Sequence, residues 1–195
     1  KIRDLESGLD LKDEILWSKF SGAEWLKDNS GFYYSAYSEP QAGAELQDVN
    51  TNQKLYLHKI GEKQSSDLLI YARPDEPDWG WGPTVSEDGN YLILHVSQGT
   101  DERNRIFYQN LNHSSDSFIE LIPELKAQFH FVGNEGSVFW FFTDLNAPMG
   151  RLIAIDISNP KEENWEEIIP ERNHTLREVH LTSGYFLCHY LKDIS

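Results

Sequence analysis

Short apolar runs follow one another along almost the whole chain, and Gly, Asn, Asp and Ser separate them. Each run holds roughly four to eight residues rich in β-branched and aromatic side chains, a pattern typical of strands joined by tight turns. Helical spacing occurs only at residues 10–17, and so short a segment predicts a loop with at most one helical turn. The pattern therefore predicts an all-β protein.

A turn rich in Asp, Glu, Asn and Gly recurs between pairs of apolar runs. Such turns close hairpins, because Asp or Asn bonds its own backbone while Gly adopts positive φ without steric cost. The copies are Asp28-Asn29-Ser30-Gly31, Glu87-Asp88-Gly89, Asn134-Glu135-Gly136 and a weaker Ser183-Gly184. The preceding strands are spaced by 60, 47 and 49 residues, counted between Trp25, Val85, Val132 and Leu181.

Two more strands follow each of the first three hairpins, which gives four strands per unit. Antiparallel units of this kind, repeating every ~40–50 residues, are typical of the blades of a β-propeller. The sequence predicts a partial β-propeller of about three complete blades, a leading strand and half a trailing blade. These are the outer strand of a preceding blade at 1–10, blades at 19–74, 79–125 and 127–170, and the half blade at 177–195. The polar stretch Glu39–Gln53 is predicted to be a loop inserted between the second and third strands of the first blade.

An arc of blades has open ends. These ends expose apolar faces and unpaired strand edges, so we expect self-association through the open blade edges.

The net charge and the cysteine content indicate which classes of partner and which cellular compartment to expect. The chain has 195 residues and a formal net charge of −15, which repels nucleic acids and anionic membrane surfaces. It holds one cysteine, Cys188, and opens on the charged Lys1-Ile2-Arg3-Asp4 rather than on an apolar leader. We expect a cytoplasmic protein, with the periplasm as the alternative, and neither nucleic-acid nor membrane partners.

The motifs of enzyme chemistry are missing from the sequence. It has no Gly-x-Ser-x-Gly elbow, no His-Glu-x-x-His helix and no complete phosphate loop. We therefore predict no catalytic residue, no metal and no cofactor in this chain. The adjacent Glu87 and Asp88 would suit a glycosidase only if held in a groove, and their place in a repeated turn favours a structural role.

Two tryptophans at the start of a first strand leave two possibilities open. If exposed, Trp79 and Trp81 would line the central tunnel and stack on a proline or a sugar. If buried, they would fill the gap between blades, and we favour burial for at least one.

Several motifs occur in an order that resembles a known family. They are Lys19-Phe20-Ser21-x-x-x-Trp25, Gln53-Lys54-Leu55-Tyr56-x-His58, Gln64-Ser65-x-Asp67, Asp75-Glu76-Pro77-x-Trp79, Ser86-Glu87-Asp88-Gly89-x-Tyr91, Gly99-x-Asp101-x-x-Asn104-Arg105 and Asn134-Glu135-Gly136. Together they resemble the propeller domain of the prolyl oligopeptidases, serine peptidases also called prolyl endopeptidases. The similarity extends over essentially the whole chain.

The resemblance implies the rest of the architecture and the activity. Family members join a seven-bladed propeller to an α/β-hydrolase domain that holds Ser, Asp and His, and they cleave short peptides after proline. The propeller acts as size filter and active-site lid. The implied partners are the remainder of the same polypeptide and short proline-containing peptides, and the chain alone is expected to be inactive.

The same resemblance implies two groups of site residues. The wall or entrance of the substrate pocket would be formed by Phe20, Gly80, Trp81 and Thr100. The interdomain face or its turn would hold Asp101, Asn104 and Arg105, and for Arg105 an ion pair with Asp101 is favoured over a contact across the domains.

An alternative of another class stays open at the level of sequence. A noncatalytic propeller would recognise peptides or glycans through aromatic side chains in its tunnel. A hydrolase segment downstream in the same reading frame would distinguish the peptidase from the binding module.

Overall fold

The computed structural model describes residues 1–40, 50–113 and 117–192, and over these residues the protein is all-β, as predicted. The described strands form antiparallel sheets of four, four, four and two strands. Short 3-10 turns occur at Gln64–Ser66 and Glu162–Asn164. No helix in the described part of the chain is long and apolar enough to cross a membrane.

The chain folds into two compact units. The first comprises residues 1–85 and 96–100, and the second comprises residues 86–95 and 101–195.

The first sheet lies in the first unit, and its strands follow chain order. They are β1 (Ala23–Trp25), β2 (Gly31–Ala36), β3 (Lys54–Lys59) and β4 (Leu68–Tyr71). The predicted turn joins β1 to β2, where Asp28 accepts hydrogen bonds from the amide and hydroxyl of Ser30. Part of the predicted inserted loop, residues 41–49, lies outside the described residues.

Strand β2 is buried along its whole length. Phe32, Tyr34 and Ala36 form a core cluster against which Ile15 packs, from the segment before the sheet. The backbones of β2 and β3 also approach closely at Gly31. A Cβ at this position would lie 2.2 Å from the carbonyl oxygen of His58, so only glycine fits here.

The first 22 residues contain no strand. The predicted outer strand at 1–10 is absent, since Ser7 donates two hydrogen bonds to Asp4 and the resulting turn brings Arg3 into an isolated bridge with Asp10. That these residues belong to a preceding blade stays a prediction. Residues 10–17 form a loop without a helical turn, as expected.

The second sheet also follows chain order. Its strands are β5 (Trp79–Val85), β6 (Tyr91–Gln98), β7 (Arg105–Asn110) and β8 (Ile119–Ile122). In the turn after β5, Asp88 accepts hydrogen bonds from the Ser86 hydroxyl and the Asn90 amide, and Gly89 has a φ of 75°. These bonds account for Asp88 as a turn residue.

The third and fourth sheets lie in the second unit. The third has the strands β9 (Phe129–Glu135), β10 (Val138–Thr143), β11 (Arg151–Asp156) and β12 (Glu166–Ile169). The fourth is the hairpin of β13 (Thr175–Thr182) and β14 (Tyr185–Leu191). Residues 193–195, at the end of the predicted half blade, lie outside the described residues.

Strand β10 fills two cores because its alternate side chains point to opposite faces. Phe139 and Phe141 are fully buried in one cluster. Trp140 and Phe142 pack in the other, where the Trp140 ring meets Phe186 edge-on at 5.2 Å.

A histidine pair lies within the second unit. The rings of His95 in β6 and His130 in β9 are 6.3 Å apart. Burial and repulsion from His130 lower the pKa of His95 to about 4, against an opposing hydrogen bond to the backbone of Phe129. The folded chain therefore holds His95 neutral at neutral pH.

We expect this pair to make the protein acid-sensitive. The unfolded chain takes up the His95 proton near pH 6.5 and the folded chain only near pH 4, so the free energy of unfolding falls as pH drops between these values. His95→Gln should flatten that part of the profile, measured by urea unfolding at several pH values. The control is His174→Gln at an exposed loop position, and equal slopes for wild type and His95→Gln would contradict the prediction.

Candidate functional site

One end of the first sheet gathers most of the residues predicted for the pocket. The pairing of Ala23 with Tyr34 and of Ala36 with Lys54 places the start of β1, the end of β2 and the start of β3 at this end. The Ser35 hydroxyl on β2 donates to the carbonyl of Trp81 at 2.7 Å. We call Phe20, Gln53, Gly80, Trp81 and Thr100 together the rim.

The side chain of Gln53 joins three segments of the rim. It is only 3% exposed, and its oxygen accepts a hydrogen bond from the Trp81 amide at 2.7 Å. Its nitrogen donates to the carbonyl of Lys19 at 3.3 Å, and its backbone carbonyl accepts from the Trp81 indole at 2.6 Å. Gln53 thereby ties the residue before Phe20 to the residue after Gly80.

Phe20 presents its ring to solvent. It is 83% exposed and has a φ of 57°, and Trp17 has a φ of 59°. For a bulky side chain this left-handed backbone costs about 1 kcal/mol, so neighbouring contacts have to hold it in place. Those contacts are the Lys19 carbonyl on Gln53 and the Ser21 hydroxyl, which accepts from the Ser35 amide at 2.7 Å.

The two tryptophans at the start of β5 are both buried. Trp79 is 7% and Trp81 2% exposed, and their rings meet edge-on at 6.1 Å. Tyr71 contacts the Trp81 ring at 5.0 Å. The favoured expectation of burial is confirmed, and the tunnel-lining alternative is wrong for both. Trp81 is thus a buried member of the rim and does not present its ring to a ligand.

Gly80 packs against the end of β6, and Thr100 lies in the turn that follows this strand. A Cβ on Gly80 would be 2.6 Å from the hydroxyl of Ser97 in β6 and 3.3 Å from the side-chain oxygen of Gln53. The Gly99 amide donates to the Asp78 carbonyl at 3.3 Å, and Thr100 follows it as an exposed residue. A larger side chain at position 80 would therefore collide with Ser97 unless that side chain moved.

The remaining predicted residues belong to the second unit. Asp101 pairs with Arg103, whose Nη2 lies 2.6 Å from Oδ2, and this hydrogen-bonded partner lowers the pKa of Asp101 to about 2. The charge of Arg105 also lowers this pKa, and the favoured ion pair between Arg105 and Asp101 stays a prediction. Arg103 lies two residues from Asp101 and donates through both backbone and side chain, whereas Arg105 starts β7 and donates from Nε to the Pro123 carbonyl at 2.9 Å.

Asn104 links β7 to β9. Its oxygen accepts from the Phe129 amide at 2.7 Å, and its nitrogen donates to the Phe129 carbonyl at 2.9 Å. Its own amide donates to the Ala127 carbonyl. Asn104 thus holds two strand ends of the second unit together, and its predicted place at an interdomain face stays a prediction.

Sequence reasoning missed Gln53 and Arg103. Gln53 stands in one of the quoted motifs, but a polar residue before a strand carries no local signal of burial. Among residues 1–40, 50–113 and 117–192, no three His, Cys, Asp or Glu side chains are placed to hold a metal ion.

Removing the Gln53 amide should weaken the rim. Gln53→Met keeps the volume but leaves the Trp81 amide and Lys19 carbonyl without this partner, which we expect to cost about 2 kcal/mol of unfolding free energy. Tryptophan fluorescence should shift to the red as Trp81 gains water. Gln128→Ala, at a less buried position, is the control, and a Gln53→Met variant as stable as wild type would refute the assignment.

Asn104→Ala tests the link to Phe129. Phe129 is fully buried, so its amide and carbonyl would each lose a partner that water cannot readily replace. We expect a loss of about 2 kcal/mol in chemical unfolding, against little change for the exposed Asn173→Ala. Similar losses in both variants would argue against a special role for Asn104.

Comparison with known proteins identifies the family. The family model described as the N-terminal β-propeller domain of prolyl oligopeptidase matches residues 1–195. The prolyl endopeptidase of Elizabethkingia meningoseptica is 35% identical over 192 residues, which cover 98% of this chain and 27% of that protein. The chain thus spans about a quarter of this relative.

Solved structures agree over the same span. A prolyl endopeptidase structure analysed for inter-domain dynamics has a TM-score of 0.85 and 32% identity, covering 98% of this chain and 27% of the other. Prolyl oligopeptidase B from Galerina marginata, bound to a 35mer hydrolysis and macrocyclization substrate, has a TM-score of 0.84 and 31% identity over 96% and 26% of the two chains. By fold and by sequence, the chain belongs to the prolyl oligopeptidase family and corresponds to its N-terminal β-propeller domain.

Proposed function

We propose that this chain is the propeller portion of a serine endopeptidase of the prolyl oligopeptidase type, which cleaves short peptides after proline. The observation that carries the proposal is the family match over residues 1–195. The three four-stranded sheets of the fold agree with it. The catalytic serine, histidine and aspartate would lie in an α/β-hydrolase domain of the same polypeptide, because the chain covers 27% of its prolyl endopeptidase relative.

In this proposal the propeller excludes folded proteins from the active site and contacts the bound peptide. As size filter and lid it admits short peptides and keeps folded proteins from the catalytic groups, and it shields the reaction from bulk water. The chain contributes no nucleophile and no general base. Its location would be cytoplasmic, in line with its single free cysteine.

The rim supplies the contact with the peptide. An exposed aromatic ring such as Phe20 gains binding energy when an apolar residue covers it. Prolyl oligopeptidase B from Galerina marginata binds a 35mer hydrolysis and macrocyclization substrate, which supports a peptide as the ligand of the enzyme proposed here. The noncatalytic alternative loses its main support, because Trp79 and Trp81 are buried rather than presented to a ligand.

An activity assay tests this function. The natural polypeptide that carries this chain should hydrolyse a chromogenic peptide after proline, and residues 1–195 alone should not. Phe20→Ala in the active polypeptide should raise KM about 3- to 10-fold with a smaller change in kcat, because it removes an apolar contact made by bound substrate. The matched control is Leu5→Ala, another exposed apolar position.

Two results would contradict the proposal. Turnover by the isolated 195 residues would show that the catalytic groups lie within them. Equal kinetic constants for Phe20→Ala and Leu5→Ala would show that Phe20 does not contact the bound peptide.

A further inference from the structure

A histidine lies buried between two carboxylates in the first unit. The His58 side chain in β3 is 1% exposed, and those of Asp13 and Asp67 are 3% and 2% exposed. The Nδ1 atom of His58 lies 2.8 Å from Oδ1 of Asp67, and Nε2 lies 3.1 Å from Oδ1 of Asp13. We call Asp13, His58 and Asp67, with Tyr34 and Gln64, the His58 cluster.

Hydrogen-bond directions in this cluster can be followed from its outer edge. The Leu16 amide can only donate, so the Gln64 atom that it meets at 2.9 Å is the side-chain oxygen, and the Gln64 nitrogen faces the Tyr34 hydroxyl at 3.2 Å. Because an amide nitrogen only donates, the hydroxyl oxygen accepts this bond. The proton of Tyr34 is then free to point at Oδ2 of Asp67, 2.7 Å away.

The second carboxylate also acts as an acceptor. Oδ1 of Asp13 receives the Gly61 amide. Burial acts to raise the pKa of Asp13, but the hydrogen bonds from Gly61 and His58 outweigh it and the pKa is lowered. An ionised carboxylate can only accept, and Asp67 takes the Tyr34 hydroxyl on Oδ2 and faces His58 with Oδ1. With both carboxylates ionised, both ring nitrogens of His58 have to donate. A histidine that donates from both nitrogens is an imidazolium.

Two aromatic side chains also lie near this cluster. The Phe32 ring lies 5.2 Å from the His58 ring, and the negative charge of Asp67 acts together with burial to raise the pKa of Tyr56. Two carboxylates and one imidazolium leave a single net negative charge in a buried site. Removing His58 would leave two buried carboxylates without their counter-charge, whereas removing either aspartate would leave one ring nitrogen of His58 without its acceptor.

The cluster fixes the irregular segment that leads to Phe20. Asp13 and Leu16 are its first two anchors, and Gln64 binds both the amide and the carbonyl of Leu16. Four residues later comes Phe20, in the left-handed conformation that neighbouring contacts have to hold. The anchors at Asp13 are hydrogen bonds to a charged group, which are roughly twice as strong as those between neutral groups.

We propose that His58 is a positioning residue: held as an imidazolium between Asp13 and Asp67, it anchors segment 11–22 and so sets Phe20 at the rim where a peptide binds. The peptide contact rests on the proposed function. The protonation state and the anchoring of segment 11–22 are independent of it.

The first experiment reads the protonation state. In the natural polypeptide labelled with ring-15N histidine, the His58 signals are assigned by their loss in His58→Gln. Both ring nitrogens should be protonated at neutral pH. A single protonated nitrogen, as in a neutral ring, would overturn the proposal. The protonation state is read from the spectrum of the wild-type protein, and the His58→Gln variant serves only to assign the signals.

The second experiment reads the anchoring. Asp13→Asn keeps the shape and an acceptor oxygen but removes the charge, so hydrogen exchange across residues 11–22 should accelerate about 10-fold or more while the second unit stays protected. Asp10→Asn is the matched control, because Asp10 is exposed and pairs with Arg3 outside the cluster. Equal exchange in the two variants would overturn the anchoring role.

The third experiment connects the anchor to the peptide. In the active polypeptide, Asp13→Asn should raise KM in the same direction as Phe20→Ala, with kcat less affected. Faster exchange with an unchanged KM would overturn the positioning of Phe20. A wild-type polypeptide without peptidase activity would refute the proposed function instead, and the first two experiments would still decide the state of His58 and the anchoring.

Discussion

Central strands in these sheets have to bury both of their faces, and this constraint determines where polar chemistry can lie. All six residues of β2 are buried, and the alternate side chains of β10 fill two separate clusters. A strand of this kind has no free face on which to present a functional side chain. Exposed candidates such as Phe20 and Thr100 therefore lie before, between or after the strands.

Strand ends leave backbone amides and carbonyls that need partners, and side-chain amides supply them at three places. Asn104 binds the amide and carbonyl of Phe129, and Gln64 binds those of Leu16. The side-chain oxygen of Gln53 accepts from the Trp81 amide, and its nitrogen donates to the Lys19 carbonyl. A primary amide can donate and accept at once, as a neighbouring strand would, and it carries no charge to desolvate. This explains why side-chain amides hold segments that regular pairing cannot reach.

The sequence predicted what is encoded locally and missed what depends on distant neighbours. Alternating apolar runs and turns such as Ser86–Gly89 specify the strands, because period and turn chemistry are properties of a few adjacent residues. The strand expected at 1–10 did not form, since Ser7 folds the backbone onto Asp4 instead. The role of Gln53 depends on contacts with Lys19 and Trp81, 34 and 28 residues away, which a single sequence does not display.

Segment 11–22 shows why one part of this mostly neutral framework uses buried charge. It has no strand partner to supply regular hydrogen bonds, and both Trp17 and Phe20 adopt backbone conformations that bulky residues avoid. Neutral contacts hold its middle and its end, at Leu16, Lys19 and Ser21. The charged group Asp13 holds its start. Burying Asp13 beside His58 is costly unless every partner stays in place, so small displacements carry a steep penalty. A charged anchor therefore suits a segment whose purpose is to keep one exposed aromatic ring in a fixed position.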